Sequence, residues 1–360
     1  MKKYRIYFLM TVCFFSLITQ KGMASPGTTI QVLQPTEQLA DTILFKMMPF
    51  PMGASVGISR MKNNARYIEV VTKEFNSITA ENAMKFRALH PAENTYQWAD
   101  ADFLVDFAQK NGKRIHGHTL NWYQYLPAWV NNFSGDSIAW ENMLKDHIQT
   151  VVAHFKGKVS SWDVVNEYFN DDGTIRPSVW VKNLGPDYIA RCFQYAHEAD
   201  PDAILFYNDY GHEYSSAKRI AIGKLIHSFK ERKIPIHGIG MQFHMTYMQS
   251  DANISAAIEF AAATGLKVHI SELDVRVNTN KVQGLAFTDA MAAQQADRYR
   301  QVVKTYNAIP KSQQFGITTW NVGDADSWVP SWQGAPDWPL PFDGNYLRKP
   351  AYKAIIEGGK

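Results

Sequence analysis

The chain has 360 residues, 46% of them hydrophobic and 20% charged, which is enough for one large domain or two small ones, and no stretch reads as a membrane span. Its 37 Lys and Arg outnumber 34 Asp and Glu, but four basic residues and no acid fall in residues 1–24, so the remainder carries 33 against 34, a net charge of −1. That balance excludes a polyanion such as nucleic acid as the expected partner.

Residues 1–24 open on Lys2, Lys3 and Arg5, continue through an apolar stretch from Ile6 to Ile18, and end on the small residues Gly22 and Ala24, the pattern of a secretory signal. An uncleaved anchor is the competing reading, and the apolar core is short for one. Cleavage is expected to leave residues 25–360 as a single domain, secreted to the periplasm or the medium and free of the membrane. Cys13 follows Thr11 and Val12 rather than the small residues that precede a lipid-anchored cysteine. Cys192 is then the one cysteine left, so no internal disulfide is expected; within "DYIARCFQYAHEAD" it reads as a small core residue beside Phe193.

Apolar strand candidates follow in a cadence: "SVGIS" near Ser55, "FNSITAEN" from Phe75, "RIHGHTLNW" from Arg114, "SWDVVNE" from Ser161, "ILFYNDY" from Ile204, "GIGMQFH" from Gly238, "KVHISELD" from Lys267 and "FGITTWNV" from Phe315. Amphipathic segments lie between them. In "ADFLVDFAQKNGK", Phe103, Leu104 and Phe107 have helical spacing and Gly112 is a stop, and "AAIEFAAATGLK" repeats the device with Gly265. Strands alternating with helices argue for parallel βαβ units, and eight of them fit an α/β fold of the (β/α)8 TIM barrel type, with an open doubly wound sheet as the competing architecture.

A barrel places its chemistry at the C-terminal ends of the strands. Seven of the eight candidates end in polar or indole side chains: Glu81 and Asn82, His118 and Trp122, Asn166 and Glu167, Asn208 and Asp209, Gln242 and His244, Glu272 and Asp274, Trp320 and Asn321. Glu167 and Glu272 lie on strands that face one another across such a barrel. Glycosidic cleavage needs a pair of this kind, one acid to protonate the departing oxygen and one carboxylate to meet the cationic carbon. No Gly-x-Ser-x-Gly elbow, P-loop or His-Glu-x-x-His is present, and "GIGM" is too short for a dinucleotide fingerprint. His116 and His118 share a strand face, but no third zinc ligand stands at characteristic spacing, so no metal and no cofactor is expected. Ten Trp are present, and Trp122, Trp129, Trp320, Trp328, Trp332 and Trp338 fall at or after strand ends, where flat rings suit the C–H faces of sugars. For Trp129, Trp332 and Trp338, packing under long loops is an equal alternative.

The motifs "FNSITAENAMKF", "GHTLNW", "WDVVNE", "NDY", "GIGMQFH", "ISELD", "DSW" and "FDGNYLRKPAY", in that order between about Leu39 and Lys353, resemble glycoside hydrolase family 10, the endo-β-1,4-xylanases. The resemblance implies hydrolysis of internal β-1,4 bonds of xylan with retention of configuration, with Glu167 as acid/base and Glu272 as nucleophile. It places Asn166 on the sugar's 2-hydroxyl, and Glu81, Asn82, Lys85, His118 and Trp122 in the subsites ahead of the cut, walled by Trp320 and Trp328. Gln242, His244 and Asp274 complete the expected substrate-binding set; Gln242 and His244, two apart on one strand, are expected to point the same way, so that His244 reaches Glu272. A monomer acting on xylan or xylo-oligosaccharides is the expectation. A retaining β-glycosidase of the same family acting on xylo-oligosaccharides or another decorated β-1,4-glycan, and a barrel that binds glycans without cutting them, are the alternatives. One segment departs from the family pattern: after Trp122 the chain reads Tyr123, Gln124, Tyr125, Leu126, Pro127, so that Tyr125 stands where a sugar-touching Gln is usual. Either Tyr125 takes that place or Gln124 does, with Tyr125 packing beneath. "NDY" is also followed by Gly211 and His212, where an Asn and an aliphatic residue are usual.

Overall fold

The structure, a computed structural model, describes residues 42–360, so the expected signal at residues 1–24 lies outside the described residues. Nine strands appear among them: β1 Met52–Val56, β2 Ser77–Ala80, β3 Arg114–Trp122, β4 Ser161–Asn166, β5 Ile204–Asp209, β6 Gly238–Met241, β7 His244–Thr246, β8 Lys267–Arg276 and β9 Gln314–Thr319. All pairings are parallel. β1 through β6 pair in sequence, β6 pairs with the start of β8, and β9 joins β8 to β1, which closes an eight-stranded (β/α)8 barrel. The short β7 lies outside that ring and pairs with the far half of β8, His244 opposite Asp274.

β7 corrects the expectation of one continuous strand through "GIGMQFH". Phe243 takes a left-handed backbone, φ 58°, which breaks the pleat after Met241. Gln242 and His244 therefore do not share a strand face by simple alternation.

The barrel is a packed core. His116, Phe206, His269 and Phe315 meet across its floor, Phe206 and Phe315 tilted at 57° with 4.5 Å between ring centres and His116 and His269 edge to face at 4.9 Å. Each ring needs room on the neighbouring strand. A Cβ at Gly238 would stand 2.1 Å from Phe206, which explains why "GIGM" begins with glycine. His269 gives one nitrogen to Thr318 Oγ1 at 2.9 Å, and burial pushes its pKa well down, so it stays neutral in the core.

Helices on the outside connect the strands. The helix Ala99–Lys110 buries Ala101, Leu104, Val105 and Ala108, a stripe at i, i+3, i+4 and i+7, while Phe103 and Phe107 are half-buried at its margin; the apolar face is thus rotated from the one expected through the two Phe. Gly112 and Gly265 end their helices with φ of 59° and 73°, as the stop signals require. Asn64, Asp136, Ser215, Ser250 and Thr288 cap helix N-termini by accepting a backbone N–H three residues on. Among the described residues no helix is long and apolar enough to cross a membrane.

Candidate active site

The C-terminal ends of the strands surround a cleft of about 630 Å³. Glu81, Asn82, Lys85, His118, Trp122, Asn166, Glu167, Gln242, His244, Glu272, Trp320 and Trp328 all line it. The strand ends hold these side chains by departures from regular pleating. Alternation would send Asn166 and Glu167 to opposite faces, but Glu167 has φ 59°, and both side chains turn inward, Asn166 Nδ2 donating to Glu167 Oε1 at 3.2 Å. On β8 the register against β9 shifts between Ile270 and Leu273, and the bulge lets the adjacent Ser271 and Glu272 both meet Asn208.

Asn208, at the end of β5, is fully buried and central. Its amide nitrogen donates to Glu272 Oε1 at 2.7 Å and to Asn166 Oδ1 at 2.9 Å, and its carbonyl accepts from Ser271 Oγ at 2.7 Å. Gln242 Nε2 reaches Glu167 Oε1 at 3.0 Å and Asn166 Oδ1 at 3.1 Å. The two glutamates are thus linked through a continuous set of amides.

Glu272 is buried, and its second oxygen lies 3.2 Å from His244 Nε2. The other nitrogen of His244 contacts Asp274 Oδ2 at 2.7 Å. Burial works against charge on His244, but Asp274 and Glu272 outweigh it and push its pKa up to about 10, so the ring is an imidazolium that donates to both carboxylates. Burial likewise favours the neutral form of Glu272; the hydrogen bond from His244 and the fields of His118 and His244 overcome it and hold the carboxyl below its ordinary value. Glu272 is therefore charged and fixed by a donor on each oxygen.

Asp274 corrects one expectation. It has no exposed surface and does not line the cleft; it sits beneath His244 and accepts from Trp328 Nε1 at 2.9 Å, so it orients two cleft residues and cannot itself reach a sugar. Tyr125 is also set back. Its φ is 54°, and its ring lies 5.4 Å from Lys85 Nζ, while Trp122, Tyr123 and Gln124 form the cleft wall at that point. Lys85 bonds Asn82 Oδ1 at 3.1 Å and stands 5.0 Å above the Trp122 ring; burial lowers its pKa against the pull of Glu272, Glu81 and Glu167. Burial raises the pKa of Glu81, with Lys85 opposing.

The structure adds residues that the strand-end reading did not select. Asp163 lies within the apolar run of β4 and is buried beside the imidazoles of β3: His118 Nδ1 is 2.8 Å from Oδ2, and His116 Nε2 is 3.1 Å from Oδ1, off the hydrogen-bond line. The two histidines keep Asp163 ionised against its burial. An acid inside a strand buried on both faces, level with two histidines, was the available signal. Among the described residues no group of three His, Cys, Asp or Glu is arranged to hold a metal ion. Tyr123, Gln124, Tyr210, Glu213, Arg276 and Trp332 also line the cleft, whereas Trp129 and Trp338 do not: Trp129 donates to the His90 carbonyl at 3.0 Å and Trp338 packs on Phe287.

The model of glycosyl hydrolase family 10 matches residues 43–358. Endo-1,4-beta-xylanase B of Thermotoga neapolitana is 39% identical over 293 residues, covering 81% of this chain and 83% of that protein. Exoglucanase XynX of Acetivibrio thermocellus is 36% identical over 323 residues, 86% of this chain, and the chain spans 29% of its length. Among solved structures, xylanase 10B from Thermotoga petrophila RKU-1 in complex with xylobiose superposes with a TM-score of 0.83 at 36% identity, covering 88% of this chain and 97% of that one. On its match over nearly the whole barrel, the chain belongs to glycosyl hydrolase family 10.

Proposed function

We propose that the protein is a retaining endo-β-1,4-xylanase, with Glu272 as nucleophile and Glu167 as acid/base. The observation that carries this reading is the asymmetry of the two carboxyls. Glu272 has a donor on each oxygen, Asn208 on one and the His244 imidazolium on the other, as a carboxylate that must stay ionised requires. Glu167 takes both its amide donors, Asn166 and Gln242, on Oε1, which leaves Oε2 to carry a proton into the cleft. In the first step Glu272 bonds to the anomeric carbon as Glu167 protonates the departing oxygen. In the second, Glu167 takes a proton from water, and that water displaces Glu272 with net retention.

Asn166, held by Asn208 and Gln242, is placed to meet the 2-hydroxyl, and Glu81, Asn82, Lys85, His118 and Trp122 bind the sugars ahead of the cut under Trp320 and Trp328. The xylobiose bound in the Thermotoga petrophila relative supports a xylan or xylo-oligosaccharide substrate. The protein acts as a secreted monomer, a reading that rests on residues 1–24 and on a cleft built from one chain.

Glu167→Ala tests the assignment. Hydrolysis of xylan should collapse, because its leaving group needs the proton, while glycosyl-enzyme formation from an aryl xyloside persists and azide restores turnover as a β-glycosyl azide. Equal loss on both substrates without rescue, or initial release of the α-anomer by wild type in proton NMR, would overturn it.

A further inference from the structure

Lys85 and the short turn Phe86–Leu89 that follows it carry two cations past one aromatic ring. Lys85 faces the cleft. Arg87 faces outward and is exposed. The backbone N–H of Arg87 donates to the Tyr125 carbonyl at 3.2 Å, and the left-handed backbone of Tyr125 turns its ring under the guanidinium, whose carbon lies 3.9 Å from the ring centre. Lys85 Nζ is 5.4 Å from the same ring. Among the described residues, exposed Arg60, Arg66 and Arg232 pair with Asp326, Glu69 and Asp187 and half-buried Arg300 with Glu357, while Arg276, inside the cleft, lies 5.0 Å from the Trp332 ring. Arg87 has no carboxylate and no side-chain hydrogen bond among the described residues, so its fork of N–H donors lies over the Tyr125 ring and is left unused.

We infer that Arg87, stacked on Tyr125, is a docking point for the carboxylate of an acidic side group on the polysaccharide, a uronic acid carried by a backbone xylose in the subsites ahead of the cut. The inference rests on the xylanase reading and extends it. A side group must leave the cleft where the wall is open, and here the wall is Gln124, itself exposed. Arg87 stands against Tyr125, the residue next to Gln124, with its donors free, whereas Lys85 is buried and engaged by Asn82. A planar guanidinium matches a carboxylate with two parallel hydrogen bonds, and the ring beneath removes much of the side-chain freedom that makes exposed ion pairs weak. A neutral side group such as arabinose has nothing to offer that fork. The departure at Tyr125 thereby becomes a selector of substituents rather than a lost sugar contact.

The test compares glucuronoxylan with the same polymer after reduction of its carboxyls to alcohols, with linear xylohexaose as control. Wild type should favour the acidic polymer in kcat/KM by roughly three- to tenfold at low ionic strength, and the preference should shrink as salt is raised. Arg87→Gln should bring the ratio to one, Tyr125→Phe should preserve it and Tyr125→Ser should lower it. A ratio of one in wild type, or an undiminished ratio in Arg87→Gln, overturns the inference while leaving the xylanase reading intact. Failure to cut xylohexaose overturns both.

Discussion

Gly240→Ala perturbs the nucleophile without touching it. A Cβ at position 240 would stand 2.3 Å from Asn208 Oδ1, 3.0 Å from its Cγ and 3.2 Å from its Cβ, inside any normal contact. Asn208 cannot swing away: it is fully buried and fixed by Ser271, Asn166 and Glu272 at 2.7, 2.9 and 2.7 Å. It must shift by most of an ångström, which opens its bond to the charged Glu272. A hydrogen bond to a charged group is worth about 1.5–3 kcal/mol, so kcat/KM on an aryl xylobioside should fall by about 10- to 150-fold. Overpacking should also remove about 1–3 kcal/mol of stability, read from urea unfolding. Asn208→Ala removes the group that clashes, so the double variant should be no slower than Asn208→Ala alone. Full activity in Gly240→Ala despite lower stability, or losses that simply add in the double variant, would refute the view that Asn208 aims Glu272.

The charge on His244 makes a second prediction. His244→Gln keeps a donor but removes the positive charge beside a buried Glu272, so Glu272 should ionise at higher pH and the acidic limb of kcat/KM should move upward; an unmoved limb in the pH–rate profile would exclude the pairing. His212→Leu concerns stability. Burial, with Lys218 and Arg219 adding to it, pushes His212 down to about 3, and neither ring nitrogen has a partner among the described residues. From the ordinary histidine value of about 6.5 down to that point the unfolded chain binds a proton that the folded state refuses, so wild type loses stability as pH falls and the Leu variant escapes the loss. Its Tm should exceed wild type at pH 7 and by more at pH 4; a gain that narrows at pH 4 would contradict this.

The barrel and the two glutamates were legible because strand ends are where an apolar run must give way to polar side chains, and a β/α cadence of this length leaves few other folds. Asp163 and Asn208 were harder. Asp163 sits among Trp162, Val164 and Val165, and Asn208 reads like any polar strand end until the bulge at Ser271–Glu272 brings it against the nucleophile. Periodicity assumes a regular pleat, and the site is built where the pleat fails. The left-handed turn at Phe243 and the withdrawal of Tyr125 from the cleft wall come from backbone torsions that neither residue type announces. Gly240 was visible in the sequence, but its reason lay with a neighbour 32 positions away, Asn208.

The left-handed backbone at Glu167 sets durability against chemistry at a single position. A β-carbon at φ 59° costs about 1 kcal/mol that glycine would not, and asparagine tolerates the same conformation better than glutamate. Substituting either should give a barrel that outlasts the parent on heating and no longer cuts xylan. A library of random variants sorted for heat resistance alone will therefore enrich changes at this position and discard its best catalysts, while one sorted for turnover will hold the glutamate and must gather its hardiness elsewhere, on the helices outside the barrel.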